Sequence, residues 1–117
     1  MAKRPTTRSH WAPNATHANA PLERVTADIL EFDRAVGVVL DFAARTPGTL
    51  VIVTADHETG GFSLVESRDD FTVQYTTRGH TAEMVPLFAF GPQASRFAGF
   101  MNNYEVGRTL FDIVRAW

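Results

Sequence analysis

A chain of 117 residues has room for one compact domain but little for a layered α/β enzyme with a complete active site, so a fragment or subdomain is the expectation. A hydrophobic share of 44% and a formal charge of -2 exclude a disordered polymer and a general attraction to nucleic acid. With no cysteine there is no disulfide and no thiolate metal site, which leaves His, Asp, Glu or backbone oxygen to hold any ion.

Residues 1 to about 20 combine Pro, Thr, Ser, Asn and Ala without periodicity and read as an irregular amino-terminal segment. The basic start Met1-Ala2-Lys3-Arg4 leads into Pro5, Thr6, Thr7 and Arg8 instead of an apolar core. No signal peptide is expected in that stretch, and the apolar runs are too short for a membrane anchor; were the chain part of an exported protein, its targeting segment would lie upstream. From Pro21, the residues Val25, Ile29, Phe32, Val36, Leu40 and Ala43 recur at three- and four-residue spacing, which predicts a helix to Arg45 with one buried face. Pro21 suits its first turn, and Pro47-Gly48 supplies the stop.

Thr49 to Ala55, with Val51, Ile52 and Val53 in succession, predicts a strand covered on both faces. A short strand over Phe62 to Val65 and an alternating one over Phe71 to Thr76 suggest an antiparallel excursion. Met84 to Phe90 reads as another covered strand, with Pro86 marking an edge, a bulge or its start, and Gly91-Pro92 ending it. Asn102 and Glu105 have the spacing of a capping box, ahead of a terminal helix whose apolar face is Val106, Leu110, Ile113 and Val114. Helix, buried strand and helix together place the chain in the α/β class.

The chemistry concentrates where the first strand ends, in Thr54-Ala55-Asp56-His57-Glu58-Thr59-Gly60-Gly61. Strands of open α/β sheets deliver functional groups from their carboxyl ends. Adjacent residues on a regular strand point to opposite faces, so Asp56 and His57 meet at one ion only if the strand has already broken, which the two glycines permit. A carboxylate and a neutral imidazole suit Zn²⁺ or another divalent ion. Taken alone, the pair reads rather as a turn cap at Asp56 and a local hydrogen bond at His57. His80, in a loop between Gly79 and Thr81, reads alone as a surface histidine and gains weight only beside Asp56 and His57. His17 could reach a shared site from the loop before the long helix, His10 has a weaker case, and Arg78 reads as a solvated charge. No nucleophile elbow, Walker loop, zincin helix or dinucleotide fingerprint is present.

The octapeptide from Thr54 to Gly61, followed by Gly79-His80-Thr81, Val85-Pro86 and Phe90-Gly91-Pro92, resembles the carboxyl-terminal part of alkaline phosphatases in order and spacing. Ile29 to Gly37 is similar to the helix preceding that family's aspartate-histidine motif. The resemblance extends from about Thr16 to Val114 and divides the chain into an irregular segment, 1–15, and the carboxyl-terminal part of an alkaline-phosphatase-like domain, 16–117. The fold it implies is α/β, part of a three-layer sheet with flanking helices. The activity it implies is hydrolysis of phosphate monoesters with two zinc ions and a magnesium ion. Residues matching Asp56 and His57 ligate the zinc that activates a serine; the one matching His80 ligates the second zinc, which binds the leaving-group oxygen, and His17 resembles another ligand of that ion. Paired metals stabilise attacking and leaving oxygens, and neutral histidines suit an alkaline optimum.

The sequence departs from the family pattern at the aspartate four residues before the histidine that His17 resembles, where Pro13 stands; aligning Trp11 instead puts His10 there. The family's serine nucleophile, phosphate-binding arginine and magnesium-ligating glutamate have no assignable counterpart. The isolated chain is therefore expected to be inactive or nearly so, and to expose an apolar face. Two alternatives remain: a small non-catalytic zinc-binding α/β domain using Asp56, His57 and His80, and a piece of a related phosphodiesterase or mutase. Members of the family are usually periplasmic or extracellular and often homodimeric.

Overall fold

The computed structural model describes residues 21–68 and 70–116. They fall into two compact units, one holding the chain up to Phe32 together with His57–Met84, the other Asp33–Asp56 together with the chain from Val85. The regular elements are α1 (Leu22–Arg45), β1 (Val51–Thr54), β2 (Glu58–Thr59), β3 (Phe62–Ser67), β4 (Asp70–Tyr75), β5 (His80–Thr81), β6 (Leu87–Phe90) and α2 (Asn103–Arg115). A turn of 3₁₀ helix, Ala94–Phe97, lies between β6 and α2. The irregular segment expected over 1–15 lies outside the described residues, as do His10, Pro13 and His17.

Helix α1 has the predicted extent, with Pro21 just before it: the Pro21 carbonyl accepts from the amides of Arg24 and Val25 at 2.9 and 3.1 Å. Proline suits this place because the helix needs its carbonyl and not an amide. After Arg45 the chain reverses through Thr46-Pro47-Gly48-Thr49, where the Thr49 amide donates to the Thr46 carbonyl at 3.3 Å and Gly48 has φ 88°. That is a type II turn, with proline and glycine at the positions that require them. The predicted apolar stripe is covered unevenly: Ala43 is buried and Val25, Val36 and Leu40 are half-buried, but Ile29 and Phe32 are exposed.

In the second unit β1 and β6 pair antiparallel, from Val51↔Phe90 to Thr54↔Leu87, and the Thr54 hydroxyl donates to the Pro86 carbonyl at 3.0 Å. Pro86 stands just ahead of β6, so its missing amide costs the ladder nothing. Coverage on both faces, expected for these strands, is found only in part. Val51 is buried and Ile52 and Val53 are half-buried, but on β6 half-buried Leu87 and Ala89 alternate with exposed Phe88 and Phe90. Phe88 and Phe90 share a face of the ladder with their partners Val53 and Val51, so the exposure on β6 reflects uneven cover along that face. Ala43, Val51, Phe97 and Ile113 are the buried apolar residues among those described, and all four belong to this unit.

Helix α2 confirms the Glu105 half of the predicted cap: its Oε2 accepts from the Asn102 amide at 2.6 Å and from Asn102 Nδ2 at 3.0 Å. Of its apolar face, Ile113 is buried and Val106 half-buried, whereas Leu110 and Val114 border an open groove of about 360 Å³ with Leu50 and Pro92. Glu105→Ala removes the acceptor for the Asn102 amide and is expected to lower stability by about 1 kcal/mol, measurable as a reduced urea midpoint with an unchanged slope.

In the first unit β3 and β4 form the expected antiparallel excursion, a hairpin in register from Phe62↔Tyr75 to Ser67↔Asp70. The Phe62 and Tyr75 rings meet edge to face, centroids 5.5 Å apart, at the open end of the ladder. Strands β2 and β5 make a second antiparallel bridge of two residue pairs, Glu58↔Thr81 and Thr59↔His80. The chain is thus α/β, its described strands paired as three two-stranded antiparallel ladders. No described helix is long and apolar enough to cross a membrane.

Candidate metal centre

Strand β1 stops at Thr54, and residues 56 and 57 form a bend before β2, the break that the glycines were expected to allow. Gly60 and Gly61 have φ of 90° and 58°. The Gly60 amide donates to the Gly79 carbonyl at 2.9 Å, while its own carbonyl accepts from Thr76 and Thr77 at 2.9 and 3.1 Å. A β-carbon on Gly61 would lie 1.9 Å from Thr76 Oγ1, so a larger residue would have to displace that hydroxyl as well as adopt a positive φ, which favours glycine. These bonds draw the loop carrying His80 against the segment that follows His57.

The two imidazoles stack face to face, with ring centroids 3.5 Å apart and planes 23° from parallel. His57 Nδ1 faces the Glu58 carbonyl oxygen at 3.1 Å and Thr59 Oγ1 at 3.4 Å. A carbonyl only accepts, so the shorter contact selects the tautomer protonated at Nδ1 and leaves the Nε2 lone pair as the ligating one. A metal lies in the plane of the ring that binds it, about 2 Å from the nitrogen. With centroids 3.5 Å apart and planes 23° from parallel, an ion lying in the plane of one ring lies out of the plane of the other in this arrangement.

Asp56 is exposed and belongs to the second unit, whereas His57, half-buried, and His80, exposed, belong to the first. His57 and His80 are the sequence-predicted ligands that the structure brings together. Among the described residues no three His, Asp or Glu side chains converge as a closed metal cluster. Arg78 is exposed in the turn before His80, as a solvated charge would be.

Sequence reasoning assigned no role to Glu58 or Thr81. The Glu58 carboxylate accepts from the Gly61 amide through Oε2 at 3.0 Å, from the Phe62 amide through Oε1 at 3.2 Å, and from the Thr81 hydroxyl through Oε2. The Thr81 bond above all, with help from the amides, holds this carboxyl below the usual glutamate range. Glutamate three residues ahead of a glycine and a threonine after the second histidine were the available signals, and neither names a partner without the β2–β5 register.

Residues 12–71 match the family profile described as alkaline phosphatase. The chain belongs to the alkaline phosphatase family. Among its alkaline phosphatase relatives of known structure is the enzyme of the Antarctic bacterium TAB5, which it resembles with a TM-score of 0.77 and 35% identity over 86% of this chain and 32% of that one. A mutant of the TAB5 enzyme, with Mg bound in the M3 site, gives the same TM-score at 34% identity and the same coverage. Streptomycin-6-phosphate phosphatase of Streptomyces griseus is 38% identical over 71% of this chain and 23% of its own length. Alkaline phosphatase 3 of Bacillus subtilis is 22% identical over 73% of this chain and 34% of its own. The chain thus spans about a quarter to a third of the length of these relatives.

Proposed function

We propose that this chain supplies part of the two-zinc centre of a phosphate monoester hydrolase, with Asp56 and His57 serving one ion and His80 the other. The observation that carries the reading is the stacked His57–His80 pair, whose nearly parallel planes favour one imidazole per ion. His17 is proposed as a further ligand of the ion served by His80, on the family resemblance. When bound, paired zinc ions stabilise the attacking and leaving oxygens of a phosphoryl transfer and lower the pKa of the nucleophile.

The residues of this chain contribute orientation. The Glu58 carbonyl fixes the His57 ring, and the bonds from Gly60 to Gly79, Thr76 and Thr77 keep the His80 loop in place. No residue here is matched to the family's serine nucleophile, so the chain on its own is proposed to bind metal without turnover. Magnesium, export and dimer formation remain proposals from the family.

Zinc titration of the purified chain by calorimetry tests this. Weak binding is expected, because few ligands are available to each ion, and His57→Ala and His80→Ala should each abolish part of it. Absence of zinc binding by the native chain would overturn the metal reading. Hydrolysis of p-nitrophenyl phosphate is expected to stay at background; zinc-dependent turnover, with host phosphatase excluded, would overturn the proposed lack of activity.

A further inference from the structure

We propose that Glu58 is a positioning residue: its carboxylate clamps β5 to the Gly60-Gly61 turn through Thr81 and so holds the His80 ring against His57. The inference concerns residues of one unit only, and it rests on the metal reading solely for its consequence for zinc.

Strands β2 and β5 share two residue pairs, too short a ladder to be stable by itself. Side chains alternate across such a ladder, so Glu58 and Thr81, which are directly paired, share one face, and Thr59 and His80 share the other. His57, two residues before Thr59, lies toward the His80 face, where the two rings stack. The opposite face carries the fastening. Glu58 Oε2 accepts from both Gly61 N and Thr81 Oγ1, and Oε1 accepts from Phe62 N. One carboxylate therefore ties together β5, the glycine turn and the first residue of β3.

The same bonds argue against Glu58 as a metal ligand, although it stands next to His57 in sequence. Both of its oxygens are already engaged by donors of this chain, and its register partner Thr81 lies on the face away from the imidazoles. Glutamine cannot replace it: an amide has one acceptor oxygen, and its NH₂ would confront the Phe62 or Gly61 amide, donor against donor.

The test compares the full chain with Glu58→Gln, Thr81→Val and Thr81→Ser, using proton chemical shifts of the two imidazoles without metal and then titration with Zn²⁺ alone. Stacked rings shield one another, so the native chain and Thr81→Ser are expected to show upfield-shifted imidazole protons. Glu58→Gln and Thr81→Val should lose that shift while cross-strand contacts between Leu64 and Val73 persist. Zinc affinity should fall at least tenfold in the same two variants and recover in Thr81→Ser.

Unchanged imidazole shifts in Glu58→Gln or Thr81→Val would overturn the clamp. So would loss of the β3–β4 hairpin in both variants, or a fall in zinc affinity without a change in stacking, the latter marking the carboxylate as a ligand. If Glu58→Gln does not fold, the contrast between valine and serine at position 81 decides. If the native chain shows the shift, and it responds as expected, but no zinc binds, the clamp stands and the metal reading falls.

Discussion

Gly91→Ala is expected to unpair β1 from β6. Gly91 closes β6 with φ 106°, and a β-carbon there would lie 2.2 Å from the backbone oxygen of Thr49. The conformation alone disfavours an L side chain by about 1–2 kcal/mol, and the collision adds to this because a backbone carbonyl, unlike a flexible side chain, cannot swing aside. The next three residues make relief harder. Pro92 fixes one backbone angle, and Gln93 already has φ 63° in the type II turn that the Ala94 amide closes on the Gly91 carbonyl at 3.2 Å. Amide exchange should show protection lost at Val51–Thr54 and Leu87–Phe90, with the β3–β4 hairpin retaining its own. Native-like protection of β1 in the variant would show that the turn can shift without cost.

The purified chain is expected to associate with itself. Few apolar residues are buried among those described, whereas Phe88 is 65% exposed, Phe42 56%, Val38 70% and Phe111 60%. Soluble monomers rarely leave apolar surface on this scale uncovered, and the free edges of two-stranded ladders offer further pairing. Size-exclusion chromatography with light scattering should give a mass above the 13.0 kDa of one chain, together with strong binding of a hydrophobic dye. Introducing Val38→Glu and Phe42→Glu on α1 should shift the distribution toward monomer. A monodisperse native monomer with a sharp melting transition would contradict the expectation.

The helices were legible because their signals are local. Three- and four-residue spacing from Val25 to Ala43 and the Asn102/Glu105 pair set α1 and α2 within a residue or two. Alternation of Phe71, Val73 and Tyr75 likewise exposed β4. Burial was less legible, because a run such as Val51-Ile52-Val53 shows that a strand is apolar without showing what covers it. At the candidate site the glycines announced a sharp turn after His57. The stacking of His57 on His80, and the carboxylate that fastens the other face, depend on a pairing between residues more than twenty positions apart. No local pattern encodes that register.

The alignment of Thr54 with Leu87 is expected to set an order of assembly. The β3–β4 hairpin joins near neighbours in sequence, so its loop closes at little entropic cost, whereas β1 and β6 must first span everything between them. A hairpin that forms early shortens the effective length of that span and brings the ends of β1 and β6 within reach of one another. Changes in the length of the hairpin tip would then alter when the outer strands meet far more than whether they do, which makes the tip the natural place for the chain to tolerate insertions.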